Sequence, residues 1–487
     1  AFDPSVRELL LRVAGRDVRP AAVAAALEQA GYPAEALQLA VDNDTKSRIA
    51  TILHGQGAAF IDSGMTDLVE AAIERLEGSD YGQMPMVLAL RAREQAHNGR
   101  YDTAEAWYRQ AVNAARDHED RTRIAHWFAL DLVRRGRADA IDVLEPFVAE
   151  AAATEEEVAA RATLATAYAG EGLLTEARAT IESALASLRS VRISGRAHAR
   201  INHQAAYVYL NAGEFERAER HARAAVALAE TAGAYDVAAR ALTVLYQIAY
   251  DVDDDIAASA EYLEQCENYS LKSGNARVRA HAVFSALDIA VQRGDDAQIE
   301  RLDRALGRID AVLEADSAAD TLLPAEALRH GWQREFASAF ALLDGTAERL
   351  PTGDRQVLHW AEIAVYAAAA REGDAARIAL MHVRDDLTDA SSKRGVLTRA
   401  LAALAALMLD KRGLADEFLD LAPREAAPRR LSGLLAAVKA LAAYPEADRG
   451  QRDALRGQLE ALRANSLGGY ARLIAALPIA LVAAPAG

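Results

Sequence analysis

Arginine, histidine and tyrosine recur in this chain at spacings that place them on one face of a helix. The clearest set is Arg200, His203 and Tyr207, which are separated by three and four residues. Arginine and histidine donate hydrogen bonds to polar or anionic groups, and tyrosine offers a flat surface for stacking. Comparable positions elsewhere are Arg93, His97, Arg123, His126, Arg134, Arg240, Thr243, Gln247, His281 and Asp288. If these faces line one hollow, the sequence predicts a groove for a polar or anionic ligand or for a protein partner.

The alternative for each of these residues is an ordinary polar side chain on a solvated helix face. The combination of Arg200, His203 and Tyr207 argues against that alternative more strongly than any single residue does. Both interpretations stay open at this point, because spacing alone does not show which way a helix face points.

Other kinds of chemistry have little support. There is no His-Glu-x-x-His, no pair of cysteines, no Gly-x-Ser-x-Gly and no Gly-x-x-x-x-Gly-Lys-Ser/Thr. The single Cys266 lies between Glu264 and Glu267, which would raise its pKa, so we expect a small buried side chain. The acidic run from Asp251 to Asp255 lacks the glycine and distal glutamate of a calcium loop and is expected to be a solvated turn. We therefore expect no metal, no cofactor and no catalytic residues.

The composition limits the partners. The 487 residues carry a formal net charge of −16, which repels phosphate backbones and makes direct nucleic-acid contact unlikely for this segment. No signal peptide is visible, and the longest apolar run, Leu473 to Ala486, contains two prolines and is too short to span a bilayer. One cysteine fits a reducing compartment. We expect a cytoplasmic protein without a membrane partner, and the initial Ala1 is consistent with processing or with a longer parent chain.

A repeated pattern explains how the polar faces are positioned. "GRYDTAEAWYRQA" from Gly99 returns as "GLLTEARATIESA" from Gly172 and as "GEFERAERHARAA" from Gly213. Each copy has a glycine suited to a tight turn, followed by small residues at helical spacing that let a neighbouring helix come close. The expected buried positions are Ala104, Tyr108, Ala111, Ala177, Ile181, Ala184, Ala218, Ala222 and Ala225. Further turn glycines at 136, 294, 373 and 413 give a period of about forty residues.

These repeats predict an all-α protein, a right-handed α-solenoid of about ten to eleven helix-turn-helix pairs. We expect residues 1–20 to be the end of a preceding, winged-helix-like unit or an N-terminal cap. Residues 21–84 should form atypical helical hairpins, with Thr45 capping the helix that follows it. Residues 85–314 should form regular repeats, and residues 315–487 degenerate repeats and a C-terminal cap; within them, residues 315–351 are placed by spacing alone.

The repeats resemble tetratricopeptide repeats, most closely over Val87 to Glu230. Tyr168 and Tyr209 fall where that family has an aromatic residue in its first helix. The small residue of the same helix falls at Ala92, Ala129, Ala165 and Ala206. The resemblance implies that the first helix of each pair lines the concave surface.

The beginning of the chain resembles a junction in the large LuxR-type transcription activators related to MalT. Phe2, Pro4, Val6 and Arg7 match the end of that family's winged helix, although Asp3 stands where the family has histidine. The family's following "Gly-x-Pro-x-x-Ala" is matched by Gly31, Pro33 and Ala36. The resemblance implies a sensor domain that binds an inducer or a regulatory protein, with the ATPase and DNA-binding parts outside this chain.

Two functions remain open. The first is a non-catalytic sensor and interaction domain of a MalT-like regulator, which captures a small-molecule inducer, a protein or a peptide in its groove. The second is a free-standing scaffold that binds a peptide or a helix in the same groove.

Overall fold

The computed structural model describes residues 20–465 except for 99, 136, 149–153, 254, 275, 294, 311–322, 325, 332, 351–353, 388–392, 421–428 and 444–446. Within this part of the chain the secondary structure is helical and no β-strand occurs. The expected all-α solenoid is confirmed. The expectations for residues 1–19, and with them the match at Phe2 to Arg7, lie outside the described residues.

The helices follow one another in antiparallel pairs. The first half of the chain contains α1 (Pro20–Gln29), α2 (Pro33–Asp42), α3 (Lys46–Asp62), α4 (Thr66–Leu76), α5 (Pro85–His97), α6 (Tyr101–Ala114), α7 (His118–Arg135), α8 (Ala140–Leu144), α9 (Glu155–Gly170), α10 (Leu174–Ser187), α11 (Gly195–Asn211) and α12 (Phe215–Ala232). The second half contains α13 (Tyr235–Gln247), a π-helical turn (Ile248–Val252), α14 (Ile256–Ser273), α15 (Ala276–Arg293), α16 (Asp296–Asp310), α17 (Phe336–Leu343), α18 (Asp354–Ala369), α19 (Gly373–Asp386), α20 (Lys393–Met408), α21 (Arg412–Asp420), α22 (Arg429–Ala443) and α23 (Arg449–Asn465). Short 3-10 turns span Asp80–Gln83, Glu145–Phe147 and Ala347–Arg349.

The pairs form two layers. The odd-numbered helices from α3 to α15 each pack on the next odd-numbered helix as well as on their own partner, and α18, α20 and α22 do the same. These first helices form the inner layer, and the second helices cover it from outside. An inner helix is therefore packed on both flanks and from behind, which leaves one narrow face for a hollow.

The small residues of the repeat lie where two helices approach most closely. All nine positions expected to be buried, from Ala104 in α6 to Ala225 in α12, are at most 1% exposed. The inner-layer alanines Ala92, Ala129, Ala165 and Ala206 are fully buried. A longer side chain at these positions would force the helices apart, so the alanine pattern sets the spacing of the layers.

The turn between paired helices has a residue in the left-handed region two positions before the second helix begins. Gly172 and Gly213 hold this position, with φ of 77° and 75°. At the later repeats the expectation was wrong. Gly373 and Gly413 lie inside helices, and the left-handed residues are Arg371 and Asp410 instead, with φ of 67° and 55°. The expected turn glycines at 99, 136 and 294 lie outside the described residues.

The solenoid coils enough to bring distant repeats together. Asp62, at the end of α3, pairs with Arg196 at the start of α11, at 2.9 Å between Oδ2 and Nε. Helix α22 packs on the π-helical turn Ile248–Val252. These contacts join elements that are far apart in the chain, so the inner surface closes on itself instead of remaining an open trough.

One local expectation differs from the structure. Thr45 makes no capping hydrogen bond to α3. A capping box does occur at α9, where Thr154 and Glu157 bond to each other's backbone N–H. In the described part of the chain, no helix is both long and apolar enough to cross a bilayer.

Candidate functional site

A cavity of about 360 Å³ lies in the inner layer at the middle of the solenoid. Helices α7, α9, α11, α13 and α15 supply most of its wall, and residues from the α17–α18 region supply the rest. The largest share of the lining belongs to α11 and α13, which contribute Arg200, His203, Gln204, Tyr207, Asp236, Val237, Ala239, Arg240, Thr243, Val244 and Gln247. The closed part of the inner surface is therefore polar on its central helices.

Most of the side chains singled out in the sequence meet at this cavity. Arg200, His203, Tyr207, Arg240, Gln247 and His281 line it, together with Arg134 and Thr243. They come from four different helices whose matching faces turn to one space because the repeats are stacked in register. The side chain of Asp288 lies outside the described residues.

Four candidates lie away from the cavity. Arg93 and His97 are on α5, where Arg93 bonds Asp62 and stacks over Trp127 at 4.9 Å. Arg123 pairs with Glu119 one turn earlier on its own helix. His126 is buried between α7 and α9. The expectation that all these residues face one groove differs from the structure, because the inner helices turn some polar side chains towards each other.

Asp62 is the centre of a buried charge cluster beside the cavity. Its carboxylate accepts a hydrogen bond from Arg93 Nη2 at 2.6 Å and lies 2.9 Å from Arg196 Nε. Burial opposes the charge of Asp62, but the surrounding guanidinium groups outweigh it and hold its pKa below the usual range. Burial likewise opposes the charge of Arg93, and Asp62 outweighs it, so the pKa of Arg93 is raised. This part of the cluster compensates its own charges.

Arg200 is on the same cluster but is poorly compensated. Its Nη2 is 3.8 Å from Asp62 Oδ2, which is too long for a hydrogen bond. Burial lowers the pKa of the Arg200 guanidinium to about 10, and the attraction of Asp62 does not restore it. The side chain is 12% exposed and lines the cavity. A positive charge thus lies in a largely buried position beside an open space.

His203 lies one turn further along α11. Burial, together with the nearby positive charge of Arg240, lowers its pKa to about 3. The imidazole is therefore neutral at pH 7 and has one N–H to donate and one nitrogen to accept. Asp236, at the start of α13, is held by Arg196 Nη2 at 2.7 Å. A ligand in the cavity would thus face cationic and neutral donors more than free carboxylates.

A hydrogen-bond chain runs from the outer side of α9 to the cavity. His126 Nδ1 is 2.5 Å from Glu156 Oε1, and its Nε2 is 3.1 Å from Thr163 Oγ1. Gln204 Nε2 donates to the same hydroxyl at 2.7 Å, and Gln204 lines the cavity. Burial opposes the charge of Glu156, but His126 outweighs it and lowers the pKa of Glu156. The chain fixes the orientation of Gln204 at the cavity wall.

The apolar wall comes from several repeats. Phe284 belongs to α15, Leu350 follows the turn Ala347–Arg349, and Leu358 belongs to α18. Next to them, His359 Nε2 is 2.6 Å from Thr346 Oγ1, and its Nδ1 is 3.3 Å from Glu362 Oε2. A molecule in the cavity would touch two parts of the solenoid that are about 150 residues apart in the chain.

Sequence patterns did not identify Asp62, Asp236, Phe284 and Leu358. Asp62 ends a helix and Asp236 begins one, positions at which acidic residues are ordinary. Arg196 and Arg200 offered one usable signal in the sequence. Two arginines a turn apart on an inner helix require acidic partners, and no carboxylate lies nearby in sequence, so the partners had to come from elsewhere in the chain. Phe284 and Leu358 look like core residues because their spacing fits the helix packing.

Other chemistry is not indicated at this site. In the described residues no group of three or more histidine, cysteine or acidic side chains is placed to hold a metal ion. Cys266 is buried, donates to the Ala239 carbonyl at 3.2 Å, and has its pKa raised to about 12 by burial. The expected burial of this thiol is confirmed.

Comparisons with known proteins bear on the fold. No family model and no curated protein matches the chain. Among solved structures, it is similar to the APC/C hetero-tetramer Cut9–Hcn1, with 12% identity over 88% of this chain and 91% of that one and a TM-score of 0.40. It is also similar to the tetratricopeptide-repeat domain of P58(IPK), with 12% identity, 83% and 96% coverage and a TM-score of 0.22. A third is Naa15/Naa10 bound to HypK, with 13% identity, 94% and 79% coverage and a TM-score of 0.23. Similarities of this size identify neither a ligand nor a partner.

Proposed function

We propose that this chain is a non-catalytic ligand-sensing and protein-interaction domain of a cytoplasmic, MalT-like transcription regulator. The observation that carries the proposal is the cavity of about 360 Å³, in which polar side chains from α11, α13 and α15 meet an apolar wall from several repeats. Small-molecule sites have volumes of roughly 300–1,000 Å³ and combine apolar walls with a few placed polar groups. The cavity fits that description.

The volume of the cavity favours a small molecule as the occupant of the inner site. At about 360 Å³ it lies within the range of roughly 300–1,000 Å³ that is usual for small-molecule sites. Protein partners would then bind elsewhere on the solenoid.

The proposed mechanism depends on the two opposite sides of the cavity, which belong to distant repeats. A ligand that touches Arg200 and His203 on one side and Leu358 on the other favours the coil in which those repeats face each other. It can do so only by binding that coil more tightly than a more open one. The outer layer would then present a different surface to a protein partner.

The regulator assignment depends on the resemblance at the start of the chain. Gly31 has a φ of 88°, Pro33 begins α2, and Ala36 is fully buried, so each residue of that motif has a structural task. The coding sequence upstream tests the assignment. A Gly-x-x-x-x-Gly-Lys-Ser/Thr motif encoded there supports the regulator, and a start codon immediately before Ala1 supports a free-standing scaffold.

A steric block of the cavity tests the sensing function. Thr243 lines the cavity, and its hydroxyl bonds the Arg240 carbonyl within its own helix, so Thr243→Trp places an indole in the space. Thr231→Trp is the matched control, because Thr231 is exposed on α12 and bonds within its helix in the same way. Metabolites that raise the melting temperature of the wild type and of Thr231→Trp should have no effect on Thr243→Trp. Equal stabilisation of all three proteins would show that binding lies elsewhere.

A further inference from the structure

The charges next to the cavity are unevenly paired. Arg93, Arg196 and Arg200 surround the carboxylates of Asp62 and Asp236. Arg93 and Arg196 approach these carboxylates to between 2.6 and 2.9 Å, whereas Arg200 remains at 3.8 Å. Arg200 is therefore the least closely paired of the three, and it is the one that lines the cavity.

The other carboxylates near Arg200 have closer partners. Asp236 accepts a hydrogen bond from Arg196 at 2.7 Å, and Glu156, whose charge also interacts with Arg200, lies 2.5 Å from His126. Arg240 adds a further positive charge, which contributes to the low pKa of His203. Burial disfavours a charge whose nearest partner is beyond hydrogen-bond distance, so an anion that reached Arg200 from outside would be stabilised there.

The rest of the lining favours an apolar body on that anion. Leu130, Val133, Val237, Val278 and Phe284 line the cavity from the same side of the solenoid as Arg200. The distant repeats add Pro324, Leu350 and Leu358. Burying apolar surface against them stabilises a bound ligand in proportion to the area removed from water. An inorganic anion would leave this wall unused.

Resting on the proposed function, we infer that the ligand is a small organic acid with one carboxylate and an apolar body. The carboxylate lies on the Arg200 guanidinium, with His203 as a neutral neighbouring donor, and the body lies among Phe284, Leu350 and Leu358. A single negative charge is enough to complement Arg200, whose nearest ion-pair partner lies at 3.8 Å.

A homologous series of acids tests this inference on the full chain. Acetate, butanoate, hexanoate and 3-phenylpropanoate are titrated by calorimetry beside their amides, which have the same shape without the charge. We expect affinity to rise about fourfold per methylene group up to the length of the cavity. We also expect each acid to bind at least about tenfold more tightly than its amide. Arg200→Met should abolish the preference for the acid, and Arg178→Met, on the exposed face of α10, should not.

The outcomes separate the inference from the proposed function. If the amides bind as well as the acids and Thr243→Trp binds neither, the organic-acid inference is wrong and the proposed sensing cavity still stands. Acids whose binding persists in Thr243→Trp overturn both. Phenyl phosphate binding more tightly than 3-phenylpropanoate, or no acid binding below about 10 mM, also overturns the monocarboxylate.

Discussion

Arg93 and Arg200 approach the same carboxylate and yet belong to two different kinds of site. Around Arg93 the charges are paired at hydrogen-bond distance, the aromatic ring of Trp127 covers the guanidinium, and the pKa of Arg93 is raised. Around Arg200 the carboxylate is 3.8 Å away, a cavity adjoins the side chain, and its pKa is lowered to about 10. The first region stabilises the fold, and the second carries a cost that the fold alone does not explain.

The difference teaches how to separate structural from binding residues on the inner layer of a solenoid. Residue type and exposure do not separate them, because both arginines are mostly buried. The degree to which a buried charge is paired within the chain does separate them. A fully paired charge needs no ligand, whereas a charge that is not fully paired is suited to binding a ligand of opposite charge. By this criterion Arg93 on α5 and Arg123 on α7 belong to the scaffold, and Arg200 on α11 belongs to the site.

The largest effect is expected at the shared carboxylate. Asp62→Asn removes the negative charge from between Arg93, Arg196 and Arg200 and leaves buried positive charges without a partner. We expect a loss of about 3–5 kcal/mol in the free energy of unfolding, measured by urea denaturation followed by circular dichroism. Glu119→Gln, in an exposed pair with Arg123, is the control and should cost less than about 0.5 kcal/mol. A loss below about 1 kcal/mol for Asp62→Asn would mean that the cluster does not stabilise the fold.

The next effect is a difference between the two arginines. Arg93→Met removes a buried charged hydrogen bond and should lower the free energy of unfolding by about 1.5–3 kcal/mol. Arg200→Met keeps the alkyl stem and removes a poorly compensated charge, so its stability should be unchanged or higher. Both variants are compared with the wild type in the same denaturation experiment. Equal losses for the two would contradict the division into scaffold and site.

The pH dependence of stability tests His203. Its folded pKa of about 3 is below the usual histidine value of 6.5, so the unfolded chain binds the proton more readily. The contribution of neutral His203 to stability is therefore present above about pH 6.5 and is lost as the pH falls towards 3. This loss changes the unfolding equilibrium constant by at most about tenfold per pH unit. The pKa of Asp62 is also lowered, so its contribution is lost only further down, below about pH 4.

His203→Gln should reduce the loss of stability between pH 6.5 and 4.5 and leave the carboxylate-dependent loss below pH 4 intact. Part of the slope should remain, because burial also lowers the pKa of His97 and His221. Melting temperatures measured across this range show the difference. His382→Gln, at an exposed position on α19, is the control. An unchanged slope in His203→Gln would place that imidazole in water rather than in a buried position.

Local sequence patterns predicted the structural features that depend on residues close together in the chain. The alanines at Ala104 and Ala177 and the turn at Gly213 follow from helical spacing and from backbone freedom, and they are confirmed. The turns at Arg371 and Asp410 escaped notice because side chains other than glycine adopt the left-handed region there, at a cost that the surrounding packing outweighs. Asp62 escaped notice for a different reason, since its partner Arg196 becomes a neighbour only when the solenoid coils.

The same limit applies to His126 and Arg123, which have groove-like spacing and lie elsewhere. An inner helix touches neighbours on both flanks, so a polar residue near its inner face can equally bond to the next helix, as His126 does with Glu156. Which of the two occurs depends on the rotation of the helix within the layer. A shift of one position along the helix turns a side chain by about 100°, and periodicity does not determine rotation that finely.

The smallest effect is expected at Arg123, and substituting this residue is the most direct test of the comparison between Arg93 and Arg200. Its guanidinium pairs with Glu119 on the surface of α7, so Arg123→Met should change the free energy of unfolding by less than about 0.5 kcal/mol. It should also leave the affinity for 3-phenylpropanoate unchanged, because Arg123 does not line the cavity. Calorimetric titration beside Arg200→Met measures both effects on one ligand. If Arg123→Met weakens binding as Arg200→Met does, the site extends along α7 to Arg123, and pairing within the chain fails as the criterion that separates scaffold from site.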